Sequence, residues 1–410
     1  MATTKFIVPE GVLPSHLGLI DQCKTDTSPF KVNGIIGLYA DEEGRPYVME
    51  SVKRAEMEMA KDVLEGNLFH EYSTSTGIRE YTNFAMEIAL GQGSLAIREG
   101  RVCALQTTGC LGALRVAMES LCQQLHRTVI YFPQQTWFLH ANIANKSGFE
   151  DIRYYRYVNV ATNCDLDFEG LLDDLKKAPA KAVVVLQAVA HNPTGIDPNV
   201  KQWEKILQVV QERELFPLFD MAYQGLVSGD VDKDAFAPRL FEQAGMELMI
   251  ATTGSKNFGL YSERTGALII VSNNPDNVSS LETTVVKQVI RPGPGLSPIH
   301  GATVVIRILS DPVLKEQWKM ELQAIADRLR TVRVKLRSLI EALNQKPNSW
   351  KHLTDQQGIF SFLGLSLEQC RYLIHEKRVY LYENSRINMA AINMNNVEYV
   401  AASIVEAERI

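Results

Sequence analysis

Cysteine is sparse and scattered, with six in 410 residues, at positions 23, 103, 110, 122, 164 and 370. No CxxC pair and no histidine at zinc spacing accompanies them, which excludes a disulfide framework or a metal centre as the organising device. This usage fits a reducing compartment. Charge is nearly balanced, 42 Lys and Arg against 48 Asp and Glu, and there is no basic run or basic-aromatic interleaving. Nucleic acid and anionic membrane surfaces are therefore poor candidates for the principal partner, and a small molecule is expected. No apolar stretch approaches the roughly 18 residues of a membrane span. The opening MATTKFIVPEG lacks the apolar core of a signal peptide and the arginine-rich pattern of a transit peptide, so the expected location is cytoplasmic. No internal repeat is visible.

What is present is a long chain with alternating signals. Beyond about 250–300 residues a single core usually divides, so two domains are expected. Apolar, β-branched-rich runs near 101–106, 128–132, 151–157, 181–187, 215–220, 247–253 and 264–272 alternate with helical patterns such as 111–125, 199–213 and 235–244. The pattern predicts an α/β fold with a mostly parallel, seven-stranded sheet flanked by helices. Asp197 before Pro198 reads as the cap and first-turn proline of the second of these helices. After the Pro/Gly-rich RPGPGLSP at 291–298, apolar Leu314, Trp318, Leu322, Ile325, Leu329 and Val332 recur at helical spacing and predict a helix over 312–344. Short strand signals follow in GIFSFLG and RVYLYE, as in a smaller α+β domain. The expected division is 49–320 for the large domain and 321–410 for the small one, with 1–48 as an arm and part of the small domain; no long element is evident in the first fifty residues.

Three polar clusters each stand just beyond one of the apolar runs. Lys256 lies in TTGSKNFGLYSERTG, Asn192 in LQAVAHNPTGIDP, and Asp220 and Tyr223 in LFPLFDMAYQG. Alone, Lys256 reads as a solvated loop lysine, Asp220 as a turn or capping carboxylate and Tyr223 as a packed aromatic. Together they suggest one site, since open α/β sheets bind ligands outside the carboxyl ends of their strands. An amine there is placed to form a Schiff base with an aldehyde cofactor.

Five segments, AHNPTGIDP, DMAYQG, SKNFGLYSERTG, KVNGIIGLYADEEGRP and SRINMA, occur in the order and spacing of one family. Along nearly its whole length the chain resembles the aspartate aminotransferases, class I enzymes of fold type I that use pyridoxal 5'-phosphate. The resemblance implies that Lys256 bonds the cofactor aldehyde and, once freed by substrate, moves the proton between the amino acid's α-carbon and the cofactor's C4′ carbon. Asp220 matches the carboxylate paired with the pyridine nitrogen. Tyr223 and Asn192 match the groups that hydrogen-bond the phenolic oxygen. Trp137 matches the indole stacked on the ring, and His140 an imidazole that orients the aspartate. For the phosphate the resemblance implies Thr253, Arg264, backbone amides at Gly109 and Cys110, and Tyr72 from a neighbouring subunit, hence a homodimer with shared sites. Substrate would meet Arg386 at its α-carboxylate, Arg291 from across the dimer at its distal carboxylate, the Trp137 and Asn192 side chains, and the Gly37 backbone.

Three departures bear on these roles. The family's phosphate turn usually reads serine-glycine-threonine-glycine, and here it is Gly109-Cys110-Leu111-Gly112. The aromatic-serine-asparagine segment expected after Arg291 is replaced by Pro294-Gly295-Leu296-Ser297, which weakens the inference of dicarboxylate preference. Gln187 stands where a histidine is common. The leading expectation is a two-step transaminase acting on aspartate or glutamate with 2-oxoglutarate or oxaloacetate. One alternative is a transaminase of relaxed or aromatic specificity, and another, of a different class, is a non-catalytic dimeric binding protein that retains the fold.

Overall fold

The seven apolar runs all become strands of one sheet. In the computed structural model, which describes residues 15–159 and 164–410, these are β1 Val102–Thr108, β2 Val129–Pro133, β3 Asp151–Tyr155, β4 Val183–Gln187, β5 Phe216–Met221, β6 Leu248–Thr253 and β7 Thr265–Val271. The order is β1-β7-β6-β5-β4-β2-β3. Only β7 runs antiparallel to its neighbours. The strands β4, β5 and β7 are buried at every residue, as expected of strands covered on both faces. One core contains Val184, Leu186, Phe219, Ile250 and Ile269, and another contains Val183, Val185, Leu218, Met249 and Leu268. Successive residues point to opposite sides, so these cores are the two faces of the sheet.

The helix after Asn192 begins two residues later than the sequence suggests. Asn199, not Asp197, caps Val200–Glu212 through a reciprocal capping box with Gln202. Asp197 is occupied elsewhere, accepting hydrogen bonds from the amides of Ala190 (2.7 Å) and His191 (3.0 Å). A second correction lies near the amino terminus, where Ser15–Thr25 forms an eleven-residue helix in a region expected to lack a long element. The reading of the segment MATTKFIVPEG lies outside the described residues.

The long helix Pro312–Asn344 has the predicted bounds and is capped by Asp311. Its apolar stripe, Leu314 through Val332, is buried, and it runs unbroken across the expected boundary at 320/321. Trp318 Nε1 donates to the Asn257 carbonyl (2.7 Å) and its ring stacks on Phe258. This ties the helix to the turn that carries Lys256. Beginning and end of the chain meet beside it: Val32–Asn33 pairs with Val379–Tyr380 in parallel, and Phe360–Phe362 pairs with Arg386–Asn388 antiparallel. Gly34 bridges the two pairs, donating to Tyr380 (2.8 Å) and accepting from Asn388 (2.8 Å). Among the described residues no helix is long and apolar enough to cross a membrane.

Candidate active site

A cavity of about 700 Å³ opens where β4, β5 and β6 end, and it is lined by Gly37, Cys110, Trp137, Asn192, Asp220, Tyr223, Thr253, Lys256, Arg264 and Arg386. The ends of separate strands thus bring together residues scattered over 350 positions. Thr253 closes β6 and its hydroxyl accepts from the Ser255 amide (3.1 Å), capping the turn Gly254–Asn257 that presents Lys256. The Lys256 amine lies 4.9 Å from the ring centre of Tyr261 and 5.9 Å from that of Tyr223. Burial, helped by Arg264 and Arg386 and opposed by Asp220, lowers its pKa to about 8. A useful fraction of this amine is therefore neutral and nucleophilic near physiological pH.

Asp220, on β5, is held on both oxygens. Its Oδ2 faces His140 Nε2 at 3.1 Å and its Oδ1 faces Cys110 Sγ at 3.2 Å. His140 is fully buried, and its other nitrogen meets Thr136 Oγ1 at 2.7 Å. Asn192 Nδ2 reaches the Tyr223 hydroxyl at 3.4 Å while its Oδ1 accepts from Arg386 Nη1 at 3.3 Å. Burial, reinforced by Asp220, raises the Tyr223 pKa, so the phenol stays protonated. Gln187 holds the Asn192 backbone from both sides, accepting from its amide (2.8 Å) and donating to its carbonyl (3.0 Å). The glutamine thus does a positioning job that needs no imidazole.

Arg386 is sandwiched between the rings of Phe360 (4.2 Å) and Tyr382 (4.0 Å) and also donates to the Ile35 carbonyl. Its Nε is buried without a hydrogen-bond partner among the described residues, a donor set suited to an incoming carboxylate. Gly37 lies against Phe360, where a Cβ would stand 2.6 Å from Cζ, so a side chain there would displace the ring that stacks on Arg386.

At the opposite end, Gly109 opens the helix Gly109–Glu119, whose first-turn amides have no side-chain cap. Gly109 has φ +71°, and a Cβ there would lie 2.7 Å from Arg264 Nη2. Uncapped amides at a helix amino terminus beside a guanidinium make a site for a phosphate group. With Lys256, Arg264 and Arg386 against Asp220, the cavity favours a ligand bearing several negative charges. Leu111 also lines it and offers no hydrogen bond.

These features describe a pocket for a phosphorylated aldehyde and a carboxylate-bearing substrate. A profile described as Aminotransferase class I and II matches residues 32–404. The chain belongs to this family. It is 42% identical over 389 residues, 94% of its own length and 93% of the relative's, to the cytoplasmic aspartate aminotransferase of Gallus gallus. To the mitochondrial aspartate aminotransferase of Dictyostelium discoideum it is 39% identical, across 97% of this chain and 91% of that one. Among solved structures it superimposes with a TM-score of 0.92, at 32% identity and 98% coverage of both chains, on an aromatic-amino-acid aminotransferase from Burkholderia pseudomallei covalently bound to pyridoxal phosphate. The cofactor of this aminotransferase is pyridoxal phosphate, and the uncapped amides, Arg264, the partly neutral Lys256 and the doubly held Asp220 fit it.

Two predicted site residues lie elsewhere in the single chain. Tyr72 is 91% exposed and lines a separate cleft with Leu296 and Ser297. Arg291 is exposed at the end of the π-turn Val286–Ile290. The altered loop after it is anchored, with Ser297 Oγ donating to the Gln106 carbonyl (3.0 Å) and Gln106 Nε2 donating to that of Pro298 (2.7 Å). Conversely, Ser255, Tyr261, Phe360 and Tyr382 also line the cavity and were not singled out from sequence. Ser255 adjoins Lys256, so its proximity was the one available signal.

Proposed function

We propose that this chain transfers amino groups between aspartate or glutamate and a 2-oxo acid, 2-oxoglutarate or oxaloacetate, in two alternating half-reactions. The observation that carries the reading is the convergence of Lys256, Asp220, Arg264 and Arg386 in one cavity. When bound, pyridoxal phosphate supplies the carbonyl that accepts the amino group and the ring that takes up the electron pair of the α-carbon. Arg264 and the amides at Gly109 and Cys110 hold its phosphate, with Thr253 shaping the adjacent turn. Asp220, oriented by His140, keeps the ring nitrogen protonated, and Trp137 covers the ring. Tyr223 and Asn192 donate to the phenolic oxygen. Arg386 grips the substrate α-carboxylate in two-pronged fashion, which fixes the α-hydrogen toward Lys256. The Lys256 Nζ then removes the proton from the α-carbon.

The same reading assigns Tyr72 and Arg291 to the site of a second copy, in a homodimer with shared sites, where Arg291 meets the distal carboxylate. Their exposure in a single chain supports this. A large unit over 49–320 and a smaller one from 321–410 with 1–48 complete the proposed architecture, and likeness to the cytoplasmic aspartate aminotransferase of Gallus gallus supports a cytoplasmic location.

The loop Pro294–Ser297 beside Arg291 favours a second reading, transamination of aromatic or other neutral amino acids. Comparison of kcat/KM on aspartate with that on phenylalanine and tyrosine separates the two. Preference for aspartate is expected, and a clear preference for the neutral substrates would replace the first reading by the second. The retained constellation of Lys256, Asp220, Tyr223, Asn192, Arg264 and Arg386 argues against a non-catalytic binding protein.

A further inference from the structure

Cys110 stands in the phosphate turn where the family's serine-glycine-threonine-glycine run has no thiol. Its single S–H proton has two acceptors within reach, Asp220 Oδ1 at 3.2 Å and the Ala251 carbonyl at 3.6 Å. The carboxylate oxygen is both nearer and charged, so it accepts the hydrogen bond. Asp220 is consequently clamped on two edges, by His140 at Oδ2 and by the thiol at Oδ1. A carboxylate held at one oxygen rotates about its Cβ–Cγ bond, whereas one held at both has its plane set.

We propose that Cys110 is a positioning residue that acts through Asp220, fixing the carboxylate plane so that it meets the pyridine nitrogen of the cofactor. The proposal rests on the assignment of Asp220 to that nitrogen. A nucleophilic or redox-sensing role fits the surroundings less well, because such chemistry needs the thiolate. Burial and the neighbouring Asp220 carboxylate push the Cys110 thiol well up, against Lys256 and Arg264. The protonated thiol is the form that donates.

The test is the dissociation constant of pyridoxal phosphate for five proteins, the parent, Cys110→Ala, Cys110→Ser, Asp220→Ala, and Cys110→Ala combined with Asp220→Ala. Loss of one hydrogen bond to a carboxylate weakens cofactor binding roughly three- to tenfold in Cys110→Ala. Cys110→Ser, which restores a donor, returns it close to the parent value, and in the Asp220→Ala background the Cys110→Ala change has no further effect. Parent-like binding by Cys110→Ala, failure of serine to rescue, or an undiminished loss without Asp220 overturns the proposal while leaving the cofactor assignment intact. A parent protein that binds no pyridoxal phosphate overturns both.

Discussion

The buried Lys256 is held at a cost to the fold, and the size of that cost follows from its surroundings. Burial lowers the Lys256 pKa from 10.5 to about 8. At about 1.4 kcal/mol for each pH unit, keeping the ammonium in the folded, cofactor-free protein at pH 7 costs about 3 kcal/mol. Lys256→Met, which keeps the length and removes the charge, is therefore expected to stabilise the cofactor-free protein by about 3 kcal/mol at pH 7. In the unfolded chain the amine keeps its proton up to about 10.5, and in the native protein only up to about 8. Between those values the unfolded state binds more protons, so native stability rises with pH. The advantage of the methionine variant is then largest below pH 8 and fades as pH approaches 10.5. Urea denaturation at fixed protein concentration, at pH 7 and pH 10, measures it. A variant no more stable than the parent at pH 7, or a gain that grows with pH, would refute the reasoning.

Further outcomes follow from the same geometry. Capture of pyridoxal phosphate by the cofactor-free protein, followed by stopped-flow absorbance, should accelerate about tenfold per pH unit below 8 and level off above it, as Lys256 loses its proton; a rate flat from pH 6 to 9 contradicts the depressed pKa. Gly109→Ala places a Cβ against Arg264 at a backbone angle that disfavours side chains, and equilibrium titration should find cofactor affinity reduced roughly tenfold. Gln187→Leu leaves the buried amide and carbonyl of Asn192 without this partner, and chemical denaturation should find a loss of about 2–4 kcal/mol.

The seven strands were legible because burial on both sheet faces writes short continuous apolar runs into the sequence, and the helix Pro312–Asn344 because one buried stripe writes a three-and-four spacing. The helix Ser15–Thr25 was not, since SHLGLIDQCKT holds Gly18 within a short apolar pattern. Among its described side chains the one deeply buried is Cys23. The cap at Asn199 was misread two residues upstream because Asp197 before Pro198 has the right chemistry for a cap. Its carboxylate instead satisfies amides at 190 and 191, a choice made by the fold of the Asn192 loop.

At the site, residues embedded in family motifs converged on one cavity, whereas partners chosen by tertiary proximity were invisible. Cys110 meets Asp220 across 110 positions. Phe360 flanks Arg386 through the antiparallel pairing of Phe360–Phe362 with Arg386–Asn388, and Tyr382 through a turn in which its amide donates to the Arg386 carbonyl (3.0 Å). Gln187 read as a lost histidine, yet its amide group is what pairs both backbone atoms of Asn192.

The most direct test of the central claim is the absorption spectrum of the purified protein with pyridoxal phosphate, recorded before and after aspartate is added with no oxo acid present. Lys256 and Asp220 in one cavity with Arg386 predict a visible band of the lysine-bound cofactor that converts on aspartate to the spectrum of the amino form. A band that ignores aspartate would contradict the assigned substrate, and no band at all would contradict the account of Lys256.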